Sequence, residues 1–258
     1  MAFEISKLMA KELSSVGMNL NFSPIADVAT NPKNPVIGNR AYGKTAEEVA
    51  KFCSAVVRGH LAGGVQPCAK HFPGHGDTST DSHFALPAVD TPIETLKKRE
   101  FLPFQKSFKS GCSFVMSAHV MMRTIDPKVP ATLSSKILKD ILRKQLRYSG
   151  IIISDDLEMK AITDHYGAAE APRLALEAGC DLLIYRSEPA ARAGYESLVQ
   201  AIEAGKLSAD TVVEAAQRSR ELKKKVLLPY QSVNIAEIGD RLAVLERRTS
   251  RCIAQILS

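Results

Sequence analysis

Hydrophobic and polar positions alternate along this chain with two distinct periods. One period places apolar residues three or four positions apart, as in amphipathic helices, and the other forms short apolar runs, as in buried strands. The helical pattern covers, in chain order, residues 3–16, 45–62, 92–109, 134–146, 168–178, 188–204, 208–227 and 234–256. The strand-like runs lie near residues 18–22, 65–69, 113–118, 150–154 and 180–184. Because helices and strands take turns, the pattern predicts a parallel sheet joined by helical crossovers.

Polar side chains that can do chemistry follow four different predicted strands, and Asp27, Lys70, His119 and Asp155 are examples. In a (β/α) barrel the loops after the strands converge on one face and form the active site there. A doubly wound open sheet gathers such residues only where the strand order reverses. The sequence therefore predicts an α/β protein of the (β/α)8 TIM-barrel type. Five strands are visible where a closed barrel has eight, so we expect an incomplete barrel of about five βα units with additional C-terminal helices.

A break in the pattern near Pro229 divides the chain into two unequal parts. Pro229 and the polar run at residues 231–234 interrupt the helical periodicity. We therefore expect a catalytic domain over residues 1–228 and a helical appendage over residues 229–258.

Composition and charge argue against two classes of binding partner, nucleic acids and membranes. Of the 258 residues, 45% are hydrophobic and 24% are charged, which is typical of a globular protein. The net charge of +6 is mild, tryptophan is absent and aromatic residues do not interleave with basic ones, so we expect no nucleic-acid partner. The basic run from Arg218 to Lys225 predicts a solvated helix face. The first sixteen residues mix Glu and Lys with apolar positions, which predicts an amphipathic helix rather than a signal peptide or membrane span, and no membrane partner.

The cysteine pattern indicates reduced thiols. Five cysteines are scattered, odd in number and mostly placed inside apolar runs. They are Cys53, Cys68, Cys112, Cys180 and Cys252. This pattern is typical of buried thiols in a cytoplasmic protein rather than of a disulfide framework, and no CxxC pair indicates a zinc site.

The segment at residues 70–83, KHFPGHGDTSTDSH, concentrates ionisable groups directly after an apolar run. One interpretation is a metal site. The side chains available as ligands are His71, His75, Asp77, Asp81 and His83. No HxH or HExxH spacing fixes two of these ligands on one regular element. The other interpretation is a general acid/base pair in which Asp81 orients His83 and supports its protonated form.

A second acidic signal follows the apolar run at residues 151–153, where Asp155 and Asp156 are adjacent. Successive residues of a strand point to opposite faces, so only one of the two carboxylates can aim into the mouth of a barrel. The other is expected to cap the following loop. The alternative is that both carboxylates only cap backbone groups.

Five segments resemble glycoside hydrolase family 3, in the order of that family and over about residues 1–205. They are NFSPIADV (21–28), GNRAY (38–42), KHFPGHGDTSTDSH (70–83), MSAHV (116–120) and SDDLEM (154–159). The histidine-rich segment is highly specific, whereas the shorter ones would be weak alone. The chain is most similar to the β-N-acetylhexosaminidase branch, the bacterial β-N-acetylglucosaminidases that act on peptidoglycan fragments.

The resemblance implies a retaining glycosidase that hydrolyses terminal β-linked N-acetylglucosamine through a covalent glycosyl-enzyme. Asp155 matches the nucleophile of the family. His83 matches the general acid/base, and Asp81 is its dyad partner. Most retaining glycosidases use two carboxyl groups, so a histidine in this role departs from the usual arrangement.

The resemblance also implies a sugar-binding set. Arg40, Lys70 and His71 match residues that hold the sugar hydroxyls and the 2-acetamido group. His119 lies in a matching strand-end motif and is expected to contribute to substrate binding. No cofactor and no metal is expected, and the expected partner is a small glycan containing N-acetylglucosamine.

The match departs from the family at the start of the chain. Relatives carry three earlier barrel strands and an Asp-Gln-Glu-Gly-Gly-type loop whose aspartate binds the outer sugar hydroxyls, and no segment of this sequence matches it. We expect exposed barrel edges that favour homo-oligomers. The alternatives to a working hydrolase are an inactive or sugar-binding remnant, a metal-dependent hydrolase that uses the histidine-rich loop, and a phosphorylase.

Overall fold

The computed structural model of the chain describes residues 1–79, 86–228, 232–239 and 242–244. The strands in this part of the chain are β1 (Leu20–Asn21), β2 (Gln66–Phe72), β3 (Ala88–Val89), β4 (Phe114–Ser117), β5 (Met121–Met122), β6 (Ile151–Asp156) and β7 (Leu182–Ile184). The α-helices are α1 (Ala2–Ser15), α2 (Ala46–Ala62), α3 (Ile93–Lys98), α4 (Phe101–Lys109), α5 (Lys160–Thr163), α6 (Glu170–Ala178), α7 (Glu188–Glu203) and α8 (Ala209–Leu227). A helix of π type covers Lys136–Gln145. Short 3₁₀ turns lie at Gly38–Arg40, Ala131–Leu133 and Ile235–Glu237.

Five strands form one parallel sheet in the order β1-β2-β4-β6-β7. The sheet is curled into a half-barrel with helices packed against it. Neighbouring strands follow each other along the chain apart from the short pair β3 and β5, which make a separate parallel ladder. The predicted incomplete barrel of about five βα units is confirmed, and the carboxyl ends of its strands lie at one edge.

Two hydrophobic clusters lie on opposite faces of this sheet. The larger one joins the sheet to the helices and contains Phe72, Phe101 and Phe104, all fully buried. The smaller one contains Cys68, Met116, Ile151 and Ile153, with Leu222 of α8 packed against it. On β6, Ile152 belongs to the first cluster and its two neighbours to the second, because successive strand residues point to opposite faces.

The predicted helix over residues 92–109 is two helices, α3 and α4, with a break at Arg99 and Glu100. Pro103 explains the break, because its ring removes the N–H that a continuous helix would donate to the carbonyl of Arg99. The periodicity alone did not reveal this break, since the apolar spacing continues across it. The structure also contains elements that were not predicted: the β3–β5 ladder and the short helix α5.

Two strands extend further than predicted. Strand β2 continues through Phe72 and β6 continues through Asp156, so Lys70, His71 and Asp155 lie in strand ends rather than in loops. This placement limits their freedom, because each strand is hydrogen-bonded to its neighbours in the sheet.

The remaining predicted helices agree with the pattern apart from two details. Arg218 was assigned to a solvated basic face, but its guanidinium donates to Asp181 at 2.7 Å and joins α8 to the start of β7. Most of the predicted helix at 234–256 lies outside the described residues.

The four described cysteines are free and buried, whereas Cys252 lies outside the described part. No helix among the described residues is both long and apolar enough to cross a membrane.

Candidate active site

The carboxyl ends of neighbouring strands bring together the side chains that the sequence singled out. Lys70 and His71 lie near the end of β2, His119 lies just after β4, and Asp155 lies near the end of β6. These strands are consecutive in the sheet. His71, His119 and Lys70 each influence the ionisation of Asp155 electrostatically, so the four groups form one cluster.

Asp155 is held as an ionised carboxylate. Burial by itself raises the pKa of Asp155, but His71, His119, the backbone amide of Asp156 and Lys70 outweigh burial and lower the pKa below its ordinary value. Its Oδ1 accepts a hydrogen bond from the backbone N–H of Asp156 at 2.9 Å. A partly buried, ionised carboxylate beside the Lys70 ammonium is the state that a nucleophile requires.

Asp156 has a different role from its neighbour. Its Oδ1 accepts from the backbone N–H of Glu158 at 3.0 Å, so this side chain caps the loop after β6. The expectation that one acid of the pair would cap the loop is therefore confirmed for Asp156.

His119 is almost fully buried, and both of its ring nitrogens face protein atoms. Nε2 lies 2.9 Å from the carbonyl oxygen of Asp156, and Nδ1 lies 2.9 Å from the hydroxyl of Thr132. Because a carbonyl only accepts, Nε2 carries a proton. Burial lowers the pKa of His119, which favours the neutral ring. His119 therefore holds the backbone at the end of β6, next to Asp155.

Asp27 is the residue that the sequence analysis left without a role. Its carboxylate is fully buried and lies 2.8 Å from Nδ1 of His71. It also accepts from the backbone N–H of His75 at 2.7 Å and from that of His71 at 3.3 Å. Burial raises the pKa of Asp27, but His71 and His75 outweigh it, so the pKa lies below its ordinary value. In the sequence, Asp27 is marked only by its position directly after the apolar segment 24–26.

The Asp27 contact also sets the proton position on His71. A carboxylate only accepts, so Nδ1 of His71 carries a proton. The opposite nitrogen, Nε2, is then the ring atom that can meet a substrate oxygen.

Lys70 and Arg40 occupy the rim of the cluster. Burial lowers the pKa of Lys70, Asp155 opposes that effect, and Arg40 adds to it. The ammonium of Lys70 lies 5.9 Å from the centre of the Phe22 ring. Arg40 is exposed in the 3₁₀ turn and donates to the carbonyl of Val36 at 3.1 Å. Both cations therefore lie within electrostatic reach of the strand ends.

The first half of the histidine-rich segment is fixed by the loop after β1. The side-chain amide of Asn34 donates to the carbonyls of His75 at 2.8 Å and Gly76 at 3.0 Å. At Gly76 an added Cβ would lie 1.7 Å from the carbonyl oxygen of Val28, so only glycine permits this close approach. Nothing in the sequence pattern distinguished Asn34 from other loop asparagines.

The proposed acid/base pair, Asp81 and His83, lies outside the described residues. Among the residues that the structure does describe, no group of three His, Cys, Asp or Glu side chains is arranged to hold a metal ion. The metal interpretation of the segment therefore receives no support from its described part, which includes His71, His75 and Asp77.

We expect acid to destabilise the fold, because three buried histidines resist protonation. Burial lowers the pKa values of His60, His75 and His119 below 6.5. The unfolded chain then binds protons first as the pH falls, so stability is fully present above about pH 6.5 and decreases below it. Each histidine contributes up to about 1.4 kcal/mol per pH unit to the slope of the free energy of unfolding against pH. Urea unfolding between pH 7.5 and 5.5 should show this slope, and His60→Gln should reduce it by about one proton. A free energy of unfolding that stays constant over this range would contradict the prediction.

Comparison with known proteins gives consistent matches. The sequence profile of the glycosyl hydrolase family 3 N terminal domain matches residues 1–222. The beta-hexosaminidase A of Pseudoalteromonas piscicida is 34% identical over 254 residues, covering 91% of this chain and 42% of that protein. The beta-hexosaminidase of Methylococcus capsulatus is 39% identical over 198 residues, covering 76% of this chain and 57% of that protein. The chain thus spans about half the length of the curated relatives it matches.

Solved structures show the same relationship. A glycoside hydrolase family 3 beta-N-acetylglucosaminidase from Paenibacillus sp. str. FPU-7 is 37% identical with a TM-score of 0.85, covering 96% of this chain and 49% of that chain. The beta-N-acetylglucosaminidase from Thermotoga maritima is 33% identical with a TM-score of 0.80, covering 94% of this chain and 51% of that chain.

Proposed function

Because this chain belongs to glycoside hydrolase family 3, we propose that its strand-end site cleaves terminal β-linked N-acetylglucosamine with retention of anomeric configuration. The observation that carries the proposal is the state of Asp155, an ionised carboxylate at the end of β6 among His71, His119 and Lys70. The names of the relatives support the choice of sugar.

In the first step the Asp155 carboxylate attacks the anomeric carbon and forms a glycosyl ester. His83 donates a proton to the departing oxygen, so the leaving group departs as a neutral alcohol. In the second step His83 accepts a proton from water, and the water oxygen displaces the Asp155 carboxylate. Asp81 supports the charged form of the His83 ring. The roles of His83 and Asp81 rest on the sequence resemblance.

Binding and positioning fall to the groups around Asp155. We assign His71 Nε2, Lys70 and Arg40 to the hydroxyls and the 2-acetamido group of the sugar. The proton on Nδ1 of His71 is fixed by Asp27, which supports this orientation. We assign His119 to the same subsite through the backbone of Asp156, whose carbonyl it holds. No cofactor takes part in this chemistry.

The wider assignments are proposals of the same kind. We place the catalytic domain at residues 1–228, which the family match over residues 1–222 supports, and the helical appendage at residues 229–258. Peptidoglycan fragments in the cytoplasm are the proposed substrates, and the free, buried cysteines agree with a reducing compartment. Strands β1 and β7 form the edges of the described sheet, which favours association between copies.

The proposal is tested by product analysis with the purified 258-residue chain. Proton NMR of the reaction with 4-nitrophenyl N-acetyl-β-glucosaminide should show the β-anomer of N-acetylglucosamine as the first product. His83→Ala should reduce kcat/KM by about a hundredfold for diacetylchitobiose but much less for the nitrophenyl substrate, whose leaving group needs little protonation.

Other outcomes would contradict the proposal. An α-anomer as first product would exclude retention, and a sugar 1-phosphate formed in phosphate buffer would indicate a phosphorylase. Loss of activity with a chelator would favour the metal-dependent alternative. Binding of N-acetylglucosamine without turnover would identify a sugar-binding remnant.

A further inference from the structure

Three separate elements donate hydrogen bonds to the carboxylate of Asp77. Thr30, in the loop after β1, donates to Oδ1 at 3.2 Å. Thr91, after β3, donates to Oδ2 at 2.6 Å, and Arg99, between α3 and α4, donates to the same oxygen at 2.9 Å. Asp77 thereby joins the histidine-rich segment to three parts of the fold that are distant in sequence.

Arg99 reaches the same segment by a second route. Its Nε donates to Glu100, whose side chain is almost fully buried. Glu100 in turn packs against Gly74, where an added Cβ would lie 2.6 Å from its Cγ. Arg99 lies at the break between the two helices. From there it contacts the segment directly at Asp77 and indirectly, through Glu100, at Gly74.

The Asp77–Arg99 ion pair by itself does little for global stability. The side chains of Asp77 and Arg99 are 31% and 30% exposed, and partly exposed ion pairs add little to the free energy of unfolding. What the contacts do fix is the direction of the chain over Gly74–Thr78, together with the Asn34 amide. In sequence, Asp77 comes four residues before Asp81 and six before His83.

We propose that Arg99 and Asp77 are positioning residues for the acid/base step, because they fix the stretch from which the chain continues to Asp81 and His83. The inference rests on the proposed function, since it takes His83 as the acid. A misdirected acid weakens protonation of the leaving oxygen and leaves nucleophilic attack intact. The effect must therefore depend on the leaving group.

The test compares Arg99→Met with Lys97→Met, which removes a cation from the end of α3 that pairs only with the exposed Glu94 in the described structure. Arg99→Met should lower kcat for diacetylchitobiose about tenfold, with KM nearly unchanged, and lower kcat for the nitrophenyl substrate less than threefold. Asp77→Asn should give the same ratio, and the double variant should add nothing further. Arg99→Lys should recover part of the loss, and Lys97→Met should match the wild type.

Hydrogen exchange provides a readout that is independent of turnover. Amides of residues 72–79 should exchange faster in Arg99→Met than in Lys97→Met. Equal losses on both substrates in a folded Arg99→Met protein, or unchanged exchange, would overturn the inference while the proposed function stands. Equal losses on both substrates in His83→Ala, or a wild-type chain without turnover, would overturn both. Should Arg99→Met fail to fold, Asp77→Asn decides by the same criteria.

Discussion

Asp155→Asn should reduce turnover of 4-nitrophenyl N-acetyl-β-glucosaminide at least about 10³-fold, which corresponds to roughly 4 kcal/mol of activation free energy. The amide of asparagine keeps the size of the side chain and an acceptor for the backbone N–H of Asp156, which now donates to Asp155 at 2.9 Å. It lacks the negative charge needed to form the glycosyl ester. The measurement is nitrophenol release with the purified chain, accompanied by a thermal melt to show that the variant is folded.

Asp156→Asn is the matched control for this experiment. It changes the adjacent carboxylate by the same single atom, but the side chain caps Glu158, and an amide oxygen can still accept that bond. Its turnover should remain within about tenfold of the wild type. The assignment of the nucleophile is falsified if the two variants lose activity equally, or if Asp155→Asn retains substantial turnover. In the latter case the charge at this position would not be needed for bond cleavage.

Asp27→Ala should lower the free energy of unfolding by about 3–5 kcal/mol, because it removes a buried carboxylate that accepts three hydrogen bonds. Three donors would lose their acceptor inside the protein: Nδ1 of His71 and the backbone N–H groups of His71 and His75. The carboxylate is fully buried, so water cannot replace it without opening the site. Urea unfolding at pH 7.5 measures the loss. Nitrophenol release should fall as well, because the orientation of the His71 ring is no longer fixed.

An exposed carboxylate gives the comparison for this change. Asp90 pairs with Arg123 at 3.2 Å on the surface, with its side chain 69% exposed. Asp90→Ala should change stability by less than about 1 kcal/mol. Asp27→Asn should be intermediate, since one amide oxygen can keep the His71 contact while the amide N–H₂ faces the remaining donors. Equal stability of Asp27→Ala and Asp90→Ala would show that the buried contacts do not stabilise the fold.

Sequence periodicity predicted most of the regular elements because each depends on neighbouring residues. The helix at Ala46–Ala62 begins at Thr45 with Glu48 in a capping box, and both residues are visible in the sequence. The break at Arg99 was missed because the apolar spacing of α3 continues into α4. The full length of β2 was missed because the polar Lys70 and His71 interrupt its apolar run before Phe72, which pairs with Ser117 of β4.

The candidate site was predictable only in part. Asp155, Lys70 and His71 follow apolar runs in the sequence, and the order of polar groups at the ends of parallel strands indicates a shared edge. Asp27 also follows an apolar segment, but its function depends on His71, which is 44 positions further along the chain. Nothing local to either residue reveals that contact.

By itself, the sequence of this protein determined an incomplete parallel barrel, the family and the strands that carry the chemistry. These properties arise from periodicity and from motifs of adjacent residues, which do not require a folded chain to be read. Only the tertiary structure decided that Asp27 orients His71, that His119 holds the backbone of Asp156, and that Arg99 reaches Asp77 across 22 positions. The physical reason is that such hydrogen bonds join residues distant in sequence, whose separation is set by the packing of the whole sheet and its helices.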